Sequence, residues 1–183
     1  GSAAQRAPGG RLGAKAVAVS VVDPHTPHTE SGSVEEERAY VRDRQVLALE
    51  VDVGDEAAVA QGFAATLKAL GRVDGCFANA GVSGRGGHTS FSDMPTDEWK
   101  RVTRINLDGA FICSHAVQPH MKKLGGGKII NIGSMMSIFG ASFTAPYAAT
   151  KGGIVQLAKA MACAWGKDNI QVNSVLPGWI DTA

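Results

Sequence analysis

Two side chains in the stretch "APYAATKGG" (145–153) have the types and spacing to move a proton: Tyr147 and, four residues later, Lys151. Residues four apart on a helix share one face, with Cβ atoms roughly 5–6 Å apart, so a phenol and an ammonium at this spacing point together. Pro146 suits a first helical turn, where its missing N–H has no partner in any case, and places the pair near a helix start. A free phenol titrates near about 10 and is a poor base at neutral pH. An ammonium roughly 4 Å away favours the phenolate by about 4 kcal/mol at an effective dielectric of about 20, enough to bring such a group into use. Taken alone, a Tyr and a Lys so spaced are also what an ordinary solvated helical face carries, so their company must decide.

That company is set by the elements around them. The runs 15–23, 46–53, 73–81, 127–134 and 170–178 are rich in β-branched residues and have Gly, Asn, Asp or Ser at or beside their ends, while amphipathic segments lie near 34–44, 55–70, 96–124 and 147–168. Strands alternating with helices predict βαβ units and a parallel sheet covered on both faces. Ligands of such sheets bind at the carboxyl ends of the strands, which puts Asp23, Asp52, Asn79, Gly81, Ser134 and Pro177 on the binding edge. Ser134 lies thirteen residues before Tyr147, and Asn106 falls in the middle of the 96–124 helix.

Composition excludes several other classes. The 183 residues are 44% hydrophobic, enough for one domain with a sizeable core, and 18 basic against 17 acidic side chains leave no charge bias toward nucleic acid. No apolar run approaches the roughly 20 residues that span a bilayer, and no signal-like segment opens the chain, so a soluble cytoplasmic protein without a membrane partner is expected. Cys76, Cys113 and Cys163 sit in apolar segments without metal-type spacing and read as reduced, buried small hydrophobes. The 23–33 stretch, with His25 and His28, reads as a solvated loop rather than a metal site. No metal is expected.

Five motifs in order, "FANAG" (77–81), "RINLDGAF" (104–111), "IINIGS" (129–134), "YAATK" (147–151) and "PGWIDT" (177–182), resemble the successive signatures of the short-chain dehydrogenase/reductase family over roughly residues 13–182. The resemblance implies a doubly wound, Rossmann-type α/β fold with three α/β/α layers, a single NAD(P)-binding domain over 1–183. It also implies hydride transfer between NAD(P) and a secondary alcohol or ketone, of sugar, polyol or 3-oxoacyl type. Tyr147 is then the proton donor and acceptor, and Lys151 supports the phenolate and reaches the nicotinamide ribose. Ser134 bonds the substrate oxygen, and Asn106 holds a water linking Lys151 to solvent. On the cofactor side the resemblance assigns Asn79, Ala80 and Gly81 to the adenosine ribose turn, Asp52 and Val53 to the adenine ring, and Pro177, Gly178, Ile180 and Thr182 to the carboxamide segment. Asp23 closes the first visible strand, where a carboxylate accepts from the ribose 2′-OH and repels a 2′-phosphate, so NAD is favoured over NADP.

The sequence departs from that family at both ends. The glycines of "GSAAQRAPGGRLGAK" do not fall at the spacing of the family's opening fingerprint, and the chain stops just after the carboxamide segment, so the domain is expected to be part of a longer enzyme. The rival reading, from another class, is a non-catalytic nucleotide-sensing or interaction module on the same fold. The lip "SMMSIFGASF" (134–143) offers Met135, Met136, Ile138 and Phe143 to a partly apolar small-molecule substrate, and the glycine-rich 81–88 segment adds His88. Ile112, Val117, Ile154, Val155, Leu157 and Met161 spread over more than one helix face, which predicts a homodimer or homotetramer.

Overall fold

Each of the five β-rich runs forms a strand, somewhat shorter than its sequence pattern: β1 Ala16–Ser20, β2 Val46–Glu50, β3 Gly75–Ala78, β4 Gly127–Ile132 and β5 Ile170–Val175. They belong to a computed structural model that describes residues 16–20, 46–83 and 90–179, with β1 and Val46 as backbone only. The segments 23–33 and 34–44, and with them Asp23, His25 and His28, lie outside the described residues, as do His88, Ile180 and Thr182. Every pairing is parallel, as βαβ connections require. The described strands form two ladders, β1–β2 and β3–β4–β5. Within the larger ladder Ala78 pairs with Asn131 and Asn131 with Ser174, so these three strands end level and the residues after them share one edge.

Helix α1, Glu56–Leu70, starts where the Asp55 carboxylate accepts from the amides of Ala57 and Ala58 at 2.8 and 3.0 Å, and stops at Gly71 in the left-handed conformation. The expected helix over 96–124 is present with an irregularity. It runs as α2, Thr96–Thr103, then a π turn, Arg104–Asp108, then α3, Gly109–Lys123. At the π turn the Gly109 amide reaches back five residues to the Arg104 carbonyl. Helix α4 is Ala145–Trp165.

Every second residue of β4 and β5 faces α3 and α4: Ile129, Ile170 and Val172 join Val117, Met121, Ala158 and Met161 in one buried cluster. The helical members recur at spacings of four and three, the apolar stripe that a helix lying on a sheet needs. Phe77 and Val175 point to the opposite face and are 70% and 49% exposed. Close approach depends on small residues. A Cβ on Gly109 would stand 2.7 Å from Val53 Cγ2, and one on Gly153 would stand 3.2 Å from Leu107, so α3 seats on the segment after β2 and α4 on the π turn.

Cys163 corrects the reading of the cysteines: it is exposed, because it lies away from the stripe of Ala158 and Met161 that α4 buries. Cys76 and Cys113 are partly covered, and burial pushes their thiols up to about 12 and about 11. Among the described residues no helix is long and apolar enough to cross a membrane, and no group of His, Cys, Asp and Glu could hold a metal ion.

The turn from α3 into β4 needs two glycines for different reasons. Gly125 (φ 78°) has open space around its Cα, whereas a Cβ on Gly126 (φ 151°) would meet the Asn169 carbonyl oxygen at 2.7 Å. Gly125→Ala should therefore cost about 1–2 kcal/mol for the left-handed backbone. Gly126→Ala should cost about 1–3 kcal/mol more, because the facing group is main chain and cannot rotate away. Urea denaturation of the two variants should rank them in that order.

Candidate active site

Pro146 occupies the first turn of α4 and is buried, as its position before Tyr147 predicts. One turn on, Lys151 is only 4% exposed although it ends in an ammonium. A buried charge must find partners. Lys151 Nζ donates to the Ile132 carbonyl, the last of β4, at 2.7 Å, and lies 5.6 Å from the centroid of the Tyr147 ring, within cation–π range. Its burial lowers its pKa from the ordinary lysine value. The phenol itself is half-buried. The pair is thus no solvated helical face: the ammonium is held inward, at the strand-end edge.

Asn106 sits in the π turn and is 1% exposed. Its Oδ1 accepts from the Val82 amide at 2.8 Å, and its Nδ2 donates to the Val82 carbonyl at 3.0 Å and to Thr150 Oγ1 at 3.2 Å. The side chain is therefore committed to holding the segment after β3 beside α4, which is how Gly81 comes to the lysine. A Cβ on Gly81 would stand 3.5 Å from Lys151 Nζ and 3.3 Å from Asn106 Oδ1.

Ser134 follows the end of β4 by two residues and caps the 3₁₀ turn Met135–Ser137, its Oγ accepting from the Met136 amide at 3.2 Å. Among the described residues its own proton has no acceptor. The turn is laced to the end of β5, with the Gly133 amide on the Val175 carbonyl at 2.8 Å and the Met135 amide on that of Pro177 at 2.9 Å. Tyr147, Lys151, Asn106 and Gly81 therefore converge, with Ser134 and Pro177 on the adjoining turn.

Asn79 and Gly81 are exposed after β3 and Ala80 is half-buried, while Pro177 is half-buried and Gly178 exposed after β5. Bare main chain at Gly81, beside a buried ammonium, is an arrangement that a ribose with vicinal hydroxyls fits: Lys151 can donate to them and no Cβ blocks their approach. Asp52 and Val53 have structural partners. The Asp52 carboxylate accepts from the Gly54 amide at 2.9 Å and pairs with Arg104 at 2.9 Å, and Val53 is buried beneath Gly109. Asp23, Ile180 and Thr182 lie outside the described residues. Sequence reasoning missed Arg104, Thr150, Val82 and Ser137. Arg104 carried no signal because its partner is 52 residues away, and Val82 contributes only main chain.

Residues 10–183 match the family described as short chain dehydrogenase. Over 154 residues, 84% of this chain and 59% of the relative, it is 38% identical to an uncharacterized oxidoreductase of Thermotoga maritima. Among solved structures, NAD+-bound xylitol dehydrogenase is similar with a TM-score of 0.76 and 32% identity, over 82% of this chain and 58% of that one. A gluconate 5-dehydrogenase from Burkholderia cenocepacia, in complex with NADP and tartrate, gives 0.73 and 33%, over 81% of this chain and 56% of that one. The chain thus spans somewhat more than half the length of these relatives. The order of its motifs, the doubly wound parallel topology and the match over nearly its whole length lead to one conclusion: the chain belongs to the short-chain dehydrogenase family.

Proposed function

We propose that this chain carries the proton-transfer site of an oxidoreductase that interconverts a secondary alcohol and a ketone with NAD(P). The observation that carries this reading is Lys151, an ammonium 4% exposed, bonded to Ile132 and lying against the ring of Tyr147 at the end of the sheet. When bound, the nicotinamide supplies or takes the hydride. The residues of this chain do the rest. Tyr147 gives its phenolic proton to the ketone oxygen, or takes one from the alcohol, and the positive charge of Lys151 favours the phenolate. Ser134 donates to the same oxygen as charge gathers on it. Lys151 and the bare main chain at Gly81 hold the ribose, Asn79 and Ala80 lie upstream along the same strand-end segment, and Pro177 and Gly178 flank the carboxamide.

The wall of the cleft favours a partly apolar substrate. From 134 to 150 there is no charged side chain, and Ile138 and Phe139 are 74% and 60% exposed. A soluble, cytoplasmic homodimer or homotetramer is the assembly we propose. Phe111, 48% exposed, stacks on His115 at 5.5 Å on α3, and Ile112, Val155 and Leu157 are only half-buried, so a second subunit has an apolar face to cover. Sedimentation of the full-length protein at micromolar concentration should show it, and monomer alone would overturn it.

NAD is the cofactor we favour, on the strength of Asp23. Asp23→Ala should relax discrimination against NADP, since it removes both a repulsion and a hydrogen-bond acceptor. A parent enzyme that already prefers NADPH would show the residue to be misassigned. For the chemistry itself, Tyr147→Phe keeps the ring's packing, so stability and NADH affinity of the full-length enzyme should change little while kcat falls about a hundredfold or more. Lys151→Met should lose turnover and also weaken NADH binding. A kcat for Tyr147→Phe within about tenfold of the parent falls below what general acid–base catalysis contributes and would overturn the assignment.

A further inference from the structure

Ser134 and Lys151 come from different elements, one from the turn after β4 and the other from α4. A single hydroxyl joins them. Ser137 Oγ accepts from the Ser134 amide at 3.1 Å and donates to the Lys151 carbonyl at 2.7 Å. Lys151 Nζ is meanwhile fixed to the Ile132 carbonyl at 2.7 Å. Residues 132–137 therefore grip the lysine at both its main chain and its ammonium, with Ser134 between the two grips. The hydroxyl is closely packed on one side: a Cβ on Gly133 would stand 3.0 Å from Ser137 Oγ. Thr150 offers an instructive contrast. Its Oγ1 accepts from Asn106 at 3.2 Å, but its donated bond runs to Tyr147 within its own helix at 2.9 Å, a local contact common to helical threonines. The bond donated by Ser137 spans fourteen residues and crosses between elements.

We infer that Ser137 is a positioning residue that sets the separation of the Ser134 hydroxyl from the Tyr147–Lys151 pair. This inference rests on the catalytic reading of those three residues. Its proton and one lone pair are both engaged, so alanine at this position can make neither bond. Loss of the bridge lets the turn carrying Ser134 move relative to α4, and displacement of reacting groups by about 1 Å can cost on the order of a hundredfold in rate.

The test uses the full-length enzyme with Ser137→Ala and Ser137→Thr, reading kcat, KM for the ketone, NADH affinity by fluorescence, the pH profile of alcohol oxidation, and Tm. Ser137→Ala should lower kcat about tenfold to a hundredfold, as misplacement does, with NADH affinity nearly unchanged, and should move the midpoint of the oxidation profile to higher pH. Ser137→Thr keeps the hydroxyl and should restore most of kcat. Should the alanine variant not fold, Ser137→Cys, similar in volume but a weak donor and acceptor, is read the same way. Parent-like kcat and pH profile in the alanine or cysteine variant, or equal damage in the alanine and threonine variants, would overturn the inference. Tyr147→Phe run alongside separates the two claims: if it stays active the catalytic reading fails, and if it is dead while Ser137→Ala is parent-like, only the positioning role fails.

Discussion

A lysine ammonium taken almost wholly out of water is the constraint on which the rest of the site depends. In a medium of low dielectric an isolated charge is expensive, and the chain lowers that cost with one main-chain carbonyl and the face of an aromatic ring. For the carbonyl of Ile132 to be available, β4 must end there. The main chain after β3 lies close to the ammonium at Gly81, where a Cβ would stand 3.5 Å from Lys151 Nζ and crowd Asn106 Oδ1 at 3.3 Å. The amide of Asn106 grips Val82 at both its N–H and its C=O and keeps that segment in place. Two strand ends, those of β4 and β3, are thus tied to one charged atom on α4.

A second tie runs from the end of β2. The Asp52–Arg104 pair spans 52 residues, half-exposed at each partner, and joins the β1–β2 ladder to the π turn that presents Asn106. Exposed pairs of this kind are worth about 1 kcal/mol or less, so its contribution is mainly geometric. Together with Val53 lodged beneath Gly109, it gives α3 a fixed seat independent of the main hydrophobic cluster.

What could be read from the sequence follows the range of the interaction involved. The five strands, the proline at the start of α4 and the Tyr147–Lys151 face are local patterns, and the structure has them where the periodicity and spacing put them. The burial of Lys151 was not legible, because it depends on a carbonyl nineteen residues away and on a glycine from another strand end. The Ser137 bridge and the Arg104 ion pair share that difficulty: one serine among several and one arginine among many, each chosen by a distant partner. Cys163 lies in an apolar segment yet faces outward, since composition does not say which side of a helix is buried.

The π turn has a further consequence, for how this chain tolerates insertion and deletion. An α-helix advances about 100° per residue, so a turn carrying one additional residue rotates everything before it relative to everything after by about that angle. Val102 on α2 and Val117 and Met121 on α3 are all buried, with that offset between them. Deleting one residue from 104–108 would regularise the helix and improve its local hydrogen bonding. The same deletion would turn Asn106 off Val82 or α2 off its buried face. The most regular form of this helix is therefore closed to the sequence, and natural variation in length should be confined to the loops on either side.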